Sequence, residues 1–301
     1  MVDFDVQTFI VFLVFMLSLG ICHADRNLYS GLQCSEADNS SESSFGVNLD
    51  SLLDLLTQKG PLSKGFFKTT VGRSSGKIYG LMQCRGDVSA ENCANCTRES
   101  VAVALHDCSK SKKVQVWFTW CFLRYSNERF FGVWDQSSAA IVNETDFDDA
   151  SVVSKALTFI SEVAITAPKQ PLMFHAAVLD AGQFGKRYGM AQCTRDISRT
   201  DCSHCLDTQL MTFRTTIGNK RGWEVYGSSC SMWYHDYQFY SNFSITANDG
   251  ELSLISIIVI IILIQMKLNP FCNAKTGARR LSLQGVATGI TMAVLVFIFV
   301  P

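Results

Sequence analysis

The residues of this sequence best suited to chemistry are its cysteines, which recur with one spacing in two places. A C-X8-C-X2-C pattern begins at Cys84, and a second begins at Cys193. Thiols at such spacings can bind a metal ion or form disulfides, and the outcome depends on the compartment in which the chain folds. The first question is therefore where the chain is directed.

The match between the two copies extends well beyond the cysteines. Tyr79-Gly80-Leu81-Met82-Gln83-Cys84 aligns with Tyr188-Gly189-Met190-Ala191-Gln192-Cys193, and the same offset aligns Asp87 with Asp196, Ser89 with Ser198, and Cys121 with Cys230. Matches of rare residues such as Cys and Tyr at one offset indicate an internal duplication. The sequence therefore predicts two tandem domains, at residues 25–138 and 139–246.

An apolar run near the N-terminus, Phe9 to Ile21, has the length of a signal-peptide core and is too short to span a bilayer. We predict that residues 1–24 are a signal peptide and are removed. Two aspartates stand where Lys or Arg is usual, so a retained N-terminal anchor is the alternative. In either case the repeats are translocated into an oxidising compartment, where closely spaced cysteines form disulfides.

Zinc binding is the alternative use of these thiols, because each copy contains a CxxC pair and His204 lies inside the second pair. The two pairs belong to separate repeats, however, and a zinc site leaves the first cysteine of each pattern without a role. We therefore expect disulfides, no metal and no cofactor.

The CxxC pairs follow Ser89 and Ser198, which stand where helix N-caps belong. Cys93 and Cys96 would then lie one helical turn apart, with their Cβ atoms about 5 to 6 Å from each other, whereas a disulfide needs roughly 3.5 to 4.5 Å. Each should therefore bond elsewhere, and Cys84 and Cys121 in strand-like segments are the available partners.

The first repeat has two cysteines without a counterpart in the second, Cys34 and Cys108. If each were bonded to a different partner, the second repeat would retain two orphan thiols. If they are bonded to each other, one whole bridge is absent from the second repeat and every other thiol can pair. We therefore infer a Cys34–Cys108 disulfide, with Ile217 in the place of Cys108.

Two apolar runs lie beyond the repeats, Leu252 to Met266 and Val286 to Val300, with four cations and no anion between them. The positive-inside rule then predicts a transmembrane helix at 252–268, a basic cytosolic linker at 269–284, and a second apolar segment at 285–300 that returns or lies in the interface. The alternatives are that only the second run spans, or that the end of the chain is a lipid-anchor signal.

Apolar residues of the first repeat at 49, 52, 53 and 56 keep the spacing of one helix face, and a counterpart runs from about Asp146 to Val163. Strand-like pieces follow each helix, then the CxxC helix, then a long apolar strand through Cys121 or Cys230. This order predicts an α+β class, with two helices on one face of an antiparallel sheet in each repeat. The net charge of −1 gives no reason to expect nucleic acid as a partner.

The cysteine pattern, with YGxxQC before it and CxxRYSNxxFFG (Cys121 to Gly132) after it, resembles the plant ginkbilobin-type, or salt-stress-response/antifungal, domain. The resemblance implies a five-stranded antiparallel sheet with two helices in each repeat. It also implies five disulfides, which are Cys34–Cys108, Cys84–Cys93, Cys96–Cys121, Cys193–Cys202 and Cys205–Cys230.

Two such domains with a signal peptide and a C-terminal membrane segment are similar to the plasmodesmata-located proteins and the cysteine-rich repeat secretory proteins. The resemblance implies a non-enzymatic protein of the plasma membrane at plasmodesmata, with an apoplastic ectodomain, that controls cell-to-cell trafficking. Its expected partners are the membrane, cell-wall polysaccharide, receptor-like ectodomains, viral movement proteins, and further copies in homo- or hetero-oligomers. A secreted or lipid-anchored carbohydrate-binding defence protein is the alternative.

The ginkbilobin prototype binds mannose through an Asn, an Arg and a Glu at fixed distances from its cysteines. The corresponding positions here are Ser35, Gln115 and Ser126 in the first repeat, and Glu224 and His235 in the second. Because neither repeat keeps the charged set, we expect no sugar binding of that kind. No nucleophile or metal motif accompanies the scattered histidines, so we predict no catalytic residue.

Aromatic residues alternate along the segment Val114 to Tyr125, which we read as one strand with a core face and an outer face. On that reading Trp117 and Leu123 lie on the outer face and form an interface with a partner; the alternative is that the neighbouring repeat covers this face. Sequons for N-glycosylation lie at Asn39, Asn95, Asn143 and Asn242.

Overall fold

The computed structural model of the 301-residue chain describes residues 26–36, 43–143, 145–146 and 149–241. Both repeats lie in this part of the chain, within one compact unit that spans Asp25–Ile245. The predicted signal peptide, transmembrane helix, basic linker and second apolar segment all lie outside the described residues.

The first repeat contains five strands and two helices. They are β1 (Tyr29–Cys34), α1 (Ser43–Lys59), β2 (Phe66–Val71), β3 (Ile78–Cys84), α2 (Ala90–Asp107), β4 (Lys113–Phe118) and β5 (Cys121–Ser126). The second repeat follows the same order. Its elements are β6 (Ser138–Val142), α3 (Ala150–Thr166), β7 (Phe174–Asp180), β8 (Lys186–Cys193), α4 (Arg199–Ile217), β9 (Trp223–Gly227) and β10 (Cys230–His235).

Each repeat forms one antiparallel sheet, with strand order β1-β4-β5-β3-β2 in the first and β6-β9-β10-β8-β7 in the second. The predicted fold, two five-stranded sheets with two helices each, is confirmed. Strand β6 begins at Ser138, one residue before the predicted start of the second domain. The edge strands are β1 and β2 in the first sheet and β6 and β7 in the second.

The two helices of each repeat cover one face of its sheet and close a hydrophobic core. The predicted apolar face of α1 is confirmed, because Leu49, Leu52, Leu53 and Leu56 are all buried there. The counterpart α3 begins later than predicted, at Ala150, because the carboxylate of Asp149 accepts a hydrogen bond from the backbone N–H of Ser151 and caps the helix.

The CxxC pairs lie at the starts of α2 and α4, as the capping serines predict. The hydroxyl of Ser89 accepts from the N–H of Asn92 at 3.1 Å, and the hydroxyl of Ser198 accepts from the N–H of Asp201 at 3.0 Å. These caps fix the point at which each helix begins, and therefore the height at which its cysteines meet the sheet.

Five disulfides are formed in the described residues. They are Cys34–Cys108, Cys84–Cys93, Cys96–Cys121, Cys193–Cys202 and Cys205–Cys230. Two bonds in each repeat join the first turns of a helix to the two neighbouring central strands of the sheet. The zinc alternative is wrong for these cysteines because their sulfurs are bonded to one another. In the second repeat Ile217 fills the position of Cys108 and is fully buried.

The predicted single strand from Val114 to Tyr125 is wrong, because the chain reverses at Thr119 and Trp120. The reversal pairs Val116 with Leu123 and Trp117 with Phe122. Cross-strand partners share a face, so the hairpin places Leu123 on the helix-covered face, where its exposure is 0%. Leu123 is therefore a core residue, and its predicted place at an interface is also wrong.

One helical stretch of the described chain, Ala150–Lys169, is long and apolar enough to cross a membrane by length and composition. The buried face of this stretch belongs to the core of the second repeat, where Ile160 and Val163 are each 1% exposed, whereas Ile165 is exposed. The stretch is therefore a core helix of this repeat.

The Cys34–Cys108 bond differs from the other four because Cys34 is exposed. We expect Cys108→Ile alone to leave an exposed thiol that links two chains, visible as a dimer on a non-reducing gel. The double variant with Cys34→Ser should remain monomeric and keep the other four bonds, at a cost of ~2 to 4 kcal/mol in the free energy of unfolding. A dimer in the double variant, or none in the single one, would contradict this assignment.

Candidate functional site: the paired outer faces of the two sheets

The face of each sheet that lies away from its helices is turned toward the other repeat. Trp117 and Phe122 of the first repeat and Met190 and Trp233 of the second line one small cavity between the sheets. The two faces therefore form a shared surface, and its contacts decide what either repeat can offer to a ligand.

Two glutamines join the repeats by reciprocal hydrogen bonds. Gln83 Nε2 donates to the carbonyl of Cys193 at 2.8 Å, and Gln192 Nε2 donates to the carbonyl of Cys84 at 3.1 Å. The two side-chain oxygens are used as well. Gln83 Oε1 accepts from the N–H of Arg195, and Gln192 Oε1 accepts from the N–H of Gly86. Both amides are thus paired inside the protein, as buried polar groups need to be.

Two aspartates, one from each repeat, also accept reciprocal hydrogen bonds from the other repeat. The N–H of Ser241, after the last strand, donates to Asp87 Oδ2 at 3.0 Å, and the N–H of Gly132 donates to Asp196 Oδ2 at 3.1 Å. Each repeat therefore holds the segment that follows the last strand of the other. The glutamines and aspartates are related by the same offset as the cysteines, so the contact between the repeats is close to two-fold symmetric.

A buried charge lies beside this contact. The guanidinium of Arg85 binds both carboxylate oxygens of Asp87, at 2.6 and 2.9 Å, and donates to the carbonyl of Thr119. It also lies 5.5 Å from the centre of the Trp233 ring. A charge this deeply buried is stable only when it is paired and hydrogen-bonded in this way.

Trp117 contacts the second repeat, as the alternative reading of this strand expects. Its indole N–H donates to the carbonyl of Gly227 at 3.2 Å, and its ring stacks on Phe122. The ring also packs against the apolar cluster around Trp233 and Tyr226. The outer face at Trp117 is therefore closed by the neighbouring repeat.

The segment after the last strand covers the rest of each outer face with two aromatic residues. In the first repeat, the guanidinium of Arg124 lies 4.2 Å from the centre of the Phe130 ring, and Phe131 packs edge-on against Tyr79. The FF pair of the CxxRYSNxxFFG motif is therefore a cover for its own sheet.

In the second repeat Phe239 contacts Trp233, and Tyr240 packs against Tyr188. Phe239 and Tyr240 hold the positions of the FF pair, and Trp233 holds the position of Arg124. The cover is thus built in both repeats from different residues.

A chain of polar contacts runs along the outer face of the second sheet. The hydroxyl of Ser30 donates to Tyr226 Oη at 2.9 Å, and Tyr226 Oη donates to Glu224 Oε2 at 2.6 Å. The other carboxylate oxygen lies 2.9 Å from Nε2 of His235. Burial alone raises the pKa of Glu224, but the hydrogen bonds from His235 and Tyr226 outweigh it and hold the pKa below its usual range.

The residues at the positions that bind mannose in the ginkbilobin prototype make hydrogen bonds within this protein. In the second repeat the Glu224 carboxylate is already occupied by His235 and Tyr226. In the first repeat Gln115 donates to Gln33 Oε1 at 3.2 Å, and Ser126 accepts from the backbone N–H of Glu128. These two positions of the first repeat therefore carry neither a cation nor a carboxylate that could bind a sugar.

The two described sequons differ in their surroundings. Asn143 is exposed and follows edge strand β6. Asn95 lies on α2, and the hydroxyl of its sequon residue Thr97 is buried and donates to the carbonyl of Cys93. Of these two sequons, the one at Asn143 is therefore the more accessible in the folded protein. Asn39 and Asn242 lie outside the described residues.

Within the described part of the chain no three potential metal ligands come together. His204 contacts the ring of Trp134, and His175 lies on edge strand β7. The polar side chains at the contact between the repeats bind one another, which is the arrangement of a structural or binding surface. The molecule is a disulfide-bonded tandem-repeat ectodomain whose two domains are joined through their sheets.

Comparisons with known proteins agree with this description. The model of a family described as salt stress response/antifungal matches residues 33–128 and 142–237. An antimicrobial ginkbilobin-2-like protein of Castanea crenata is 35% identical over 76% of this chain and 95% of its own length. Cysteine-rich repeat secretory protein 55 of Arabidopsis thaliana is 34% identical over 73% of this chain and 82% of its own.

Two solved structures share the fold. The tandem DUF26 ectodomain of the Arabidopsis thaliana protein PDLP5 is 27% identical, covers 69% of this chain and 99% of its own, and superposes with a TM-score of 0.59. That of PDLP8 superposes with a TM-score of 0.62 at 24% identity, over 71% of this chain and all of its own. The chain belongs to the salt stress response/antifungal (DUF26) family, in which it carries two tandem domains.

The glutamine exchange predicts a large effect of removing either amide. Gln83→Leu and Gln192→Leu should each leave two buried backbone groups unpaired, at about 1 to 3 kcal/mol for each group in the free energy of unfolding. Urea denaturation measures this cost. Gln58→Leu on the exposed side of α1 is the matched control and should change little. Equal effects at all three positions would show that the exchange contributes nothing to stability.

The depressed pKa of Glu224 predicts a pH dependence of stability. A carboxyl whose folded pKa is lowered stabilises the fold above its unfolded pKa, 4.5 in this case, and this contribution is lost as the pH falls through the folded pKa. Wild type should therefore lose stability below about pH 4.5 more steeply than Glu224→Gln, in thermal unfolding at a series of pH values. Glu162→Gln on the exposed side of α3 should keep the wild-type profile.

Proposed function

We propose that this chain is a membrane-anchored extracellular binding protein without enzymatic activity, located at plasmodesmata in the plasma membrane. There it regulates cell-to-cell trafficking through contacts with the cell wall or with receptor-like ectodomains. The observation that carries the proposal is the joining of two DUF26 domains into one body by reciprocal glutamine and aspartate contacts, in an ectodomain similar to that of PDLP5.

A binding role is supported by the chemistry of the shared surface. The titratable side chains described there, such as Glu224 and Arg85, are bound by hydrogen bonds to other groups of the protein. A rigid body with paired polar groups is better suited to present its outer surfaces to a second macromolecule.

Membrane anchoring is supported by composition alone, from the apolar segment 252–268 and the basic linker 269–284. With this orientation the two domains face the wall space. The partners proposed for them are wall polysaccharide, receptor-like ectodomains and further copies of the chain, with viral movement proteins as users of the same site.

A fluorescent protein fused to the C-terminus and imaged in leaf epidermis tests this proposal. We expect punctate signal at the walls between neighbouring cells, and release from the membrane fraction only with detergent. A variant truncated after residue 245 is the control, and it should be recovered in the soluble wall fraction. Even cell-surface signal without puncta would refute the plasmodesmal location, and recovery of the full chain without detergent would refute the anchor.

The second candidate is a secreted or lipid-anchored carbohydrate-binding defence protein. It is favoured by the 35% identity to an antimicrobial ginkbilobin-2-like protein. The occupied carboxylate of Glu224 argues against sugar binding at that position. Retention of the purified protein on immobilised mannan, with release by free mannose and inhibition of fungal growth, would favour this second candidate over the first.

A further inference from the structure

A groove of about 520 Å³ runs along β7, the edge strand of the second sheet. Its walls are mainly apolar and come from Leu172, Phe174, Ala176 and Val178, with the ring of Tyr240 at one side. No Lys, Arg, Asp or Glu is found among its described lining residues. The volume is within the range of ligand sites in proteins.

The surface of the first repeat that is equivalent to this groove lies on its own edge strand, β2. Lys68 lies opposite Leu81 of the neighbouring strand, as Ala176 lies opposite Met190. Leu81 and Met190 are counterparts in the duplication. Lys68 and Ala176 are therefore equivalent residues of the two sheets.

The aromatic ring beside this place is equivalent as well. Phe131 packs edge-on against Tyr79 in the first repeat, and Tyr240 packs edge-on against Tyr188 in the second. The two tyrosines of the sheets are counterparts, so Phe131 and Tyr240 take the same position over their sheets.

The two repeats differ in what occupies this place. In the first repeat the ammonium of Lys68 lies 5.4 Å from the centre of the Phe131 ring. Such a contact between a cation and a ring face is attractive. In the second repeat the equivalent residue is Ala176, which has no cationic group to place at the ring of Tyr240, and the hydroxyl of Tyr240 donates to the carbonyl of Ala177 at 2.6 Å.

We propose that the β7 groove binds a lysine or arginine side chain of a partner protein, in the position that Lys68 takes in the first repeat. The alkyl part of that side chain lies along Ala176 and Leu172, and its cationic group lies at the ring of Tyr240. The protein's own first repeat thus indicates the chemistry of the ligand for the second.

The described lining of the groove carries no charge that opposes a cation. Ser241, which lines the groove, donates its N–H to the carboxylate of Asp87, and the guanidinium of Arg85 neutralises that carboxylate. His175 also lines the groove, and burial holds the pKa of its imidazole below the usual range. It is therefore neutral at neutral pH and does not repel a lysine.

A protein partner fits the groove better than a sugar. The walls are mainly apolar, whereas sugar sites need several directed hydrogen bonds from polar groups. The groove also lies on an edge strand, and an extended segment of a partner can lie along such a strand with alternate side chains in a pocket. Phe174 and Tyr240 belong to the apolar cluster between the repeats, so the groove continues an existing interface.

This inference is independent of the proposed location at plasmodesmata. The full chain, solubilised in detergent, is titrated against a fluorescein-labelled extended peptide with one central lysine between valines and threonines. An otherwise identical peptide with norleucine is the comparison. Fluorescence anisotropy should give about 3- to 30-fold weaker binding for norleucine, the factor that a partly desolvated cation–π contact supplies.

Ala176→Lys should abolish binding of the lysine peptide, because the new side chain takes the place of the ligand's side chain, as Lys68 lies at the ring of Phe131 in the first repeat. Ala139→Lys is the matched control. It adds the same charge to the same face at the opposite edge strand, β6, where Ala139 is exposed, and it should bind like wild type.

Lys68→Ala tests the inference by gain of function, since it should open the equivalent groove beside Phe131. We expect the stoichiometry to rise from one peptide to two, and we expect Lys68→Ala to restore one site in the Ala176→Lys background. This restoration also shows that the Ala176→Lys chain is folded.

Equal binding of the lysine and norleucine peptides would overturn the proposal, and so would full binding by Ala176→Lys. A third contrary outcome is binding of a wall oligosaccharide that Ala176→Lys blocks, which would make the groove a sugar site. None of these outcomes changes the result of the localisation experiment, so the two proposals fail separately.

Discussion

Adjacent residues of a β-strand point to opposite faces of the sheet. The rest of this structure depends on one Gln-Cys dipeptide in each repeat, whose two side chains make contacts on the two faces. Cys84 points to the helix side and is bonded to α2, while Gln83 points away and binds the other repeat. Gln192 and Cys193 do the same in the second repeat. The same short stretch of strand therefore fixes the helix on one side and the neighbouring domain on the other.

Much of each repeat could be predicted from its residues, because the signals are local or countable. The leucines of α1 keep a helical period, and the capping serines mark where α2 and α4 begin. The two cysteines that the second repeat lacks, Cys34 and Cys108, are predicted to be bonded to each other. The strand-like segment predicted around Cys84 is strand β3, Ile78–Cys84. The helical period and the caps need no knowledge of distant parts of the chain, and the disulfide needs only a count of the cysteines in the two repeats.

The errors arose where the sequence carries no local sign. The turn between β4 and β5 consists of Thr119 and Trp120, neither of which is a usual turn residue. The apolar alternation therefore continues through the turn and predicts the wrong face for Leu123. The partners of Gln83 and Gln192 could not be predicted, because a buried amide and an exposed one look alike in sequence. Their repetition at one offset was the available signal.

The duplication has left the two repeats unequal at the places where they meet. Arg195 extends over Phe66 and donates to the carbonyl of Lys64. Its counterpart is Gly86, where any Cβ would overlap the ring of Phe174. The first repeat therefore contacts a long side chain, Arg195, whereas the second repeat has room only for glycine at the equivalent position. The surfaces of the two repeats therefore differ in their side chains, although the contact between the repeats stays nearly symmetric.

The anchoring of Ser241 has a mechanical consequence. The last described residue of the chain is held by Asp87 of the first repeat, and Asp87 is held in turn by Arg85. Tension applied to the chain beyond this point reaches the first repeat before it can peel β10 from its sheet. This contact therefore passes part of such a load to the first repeat.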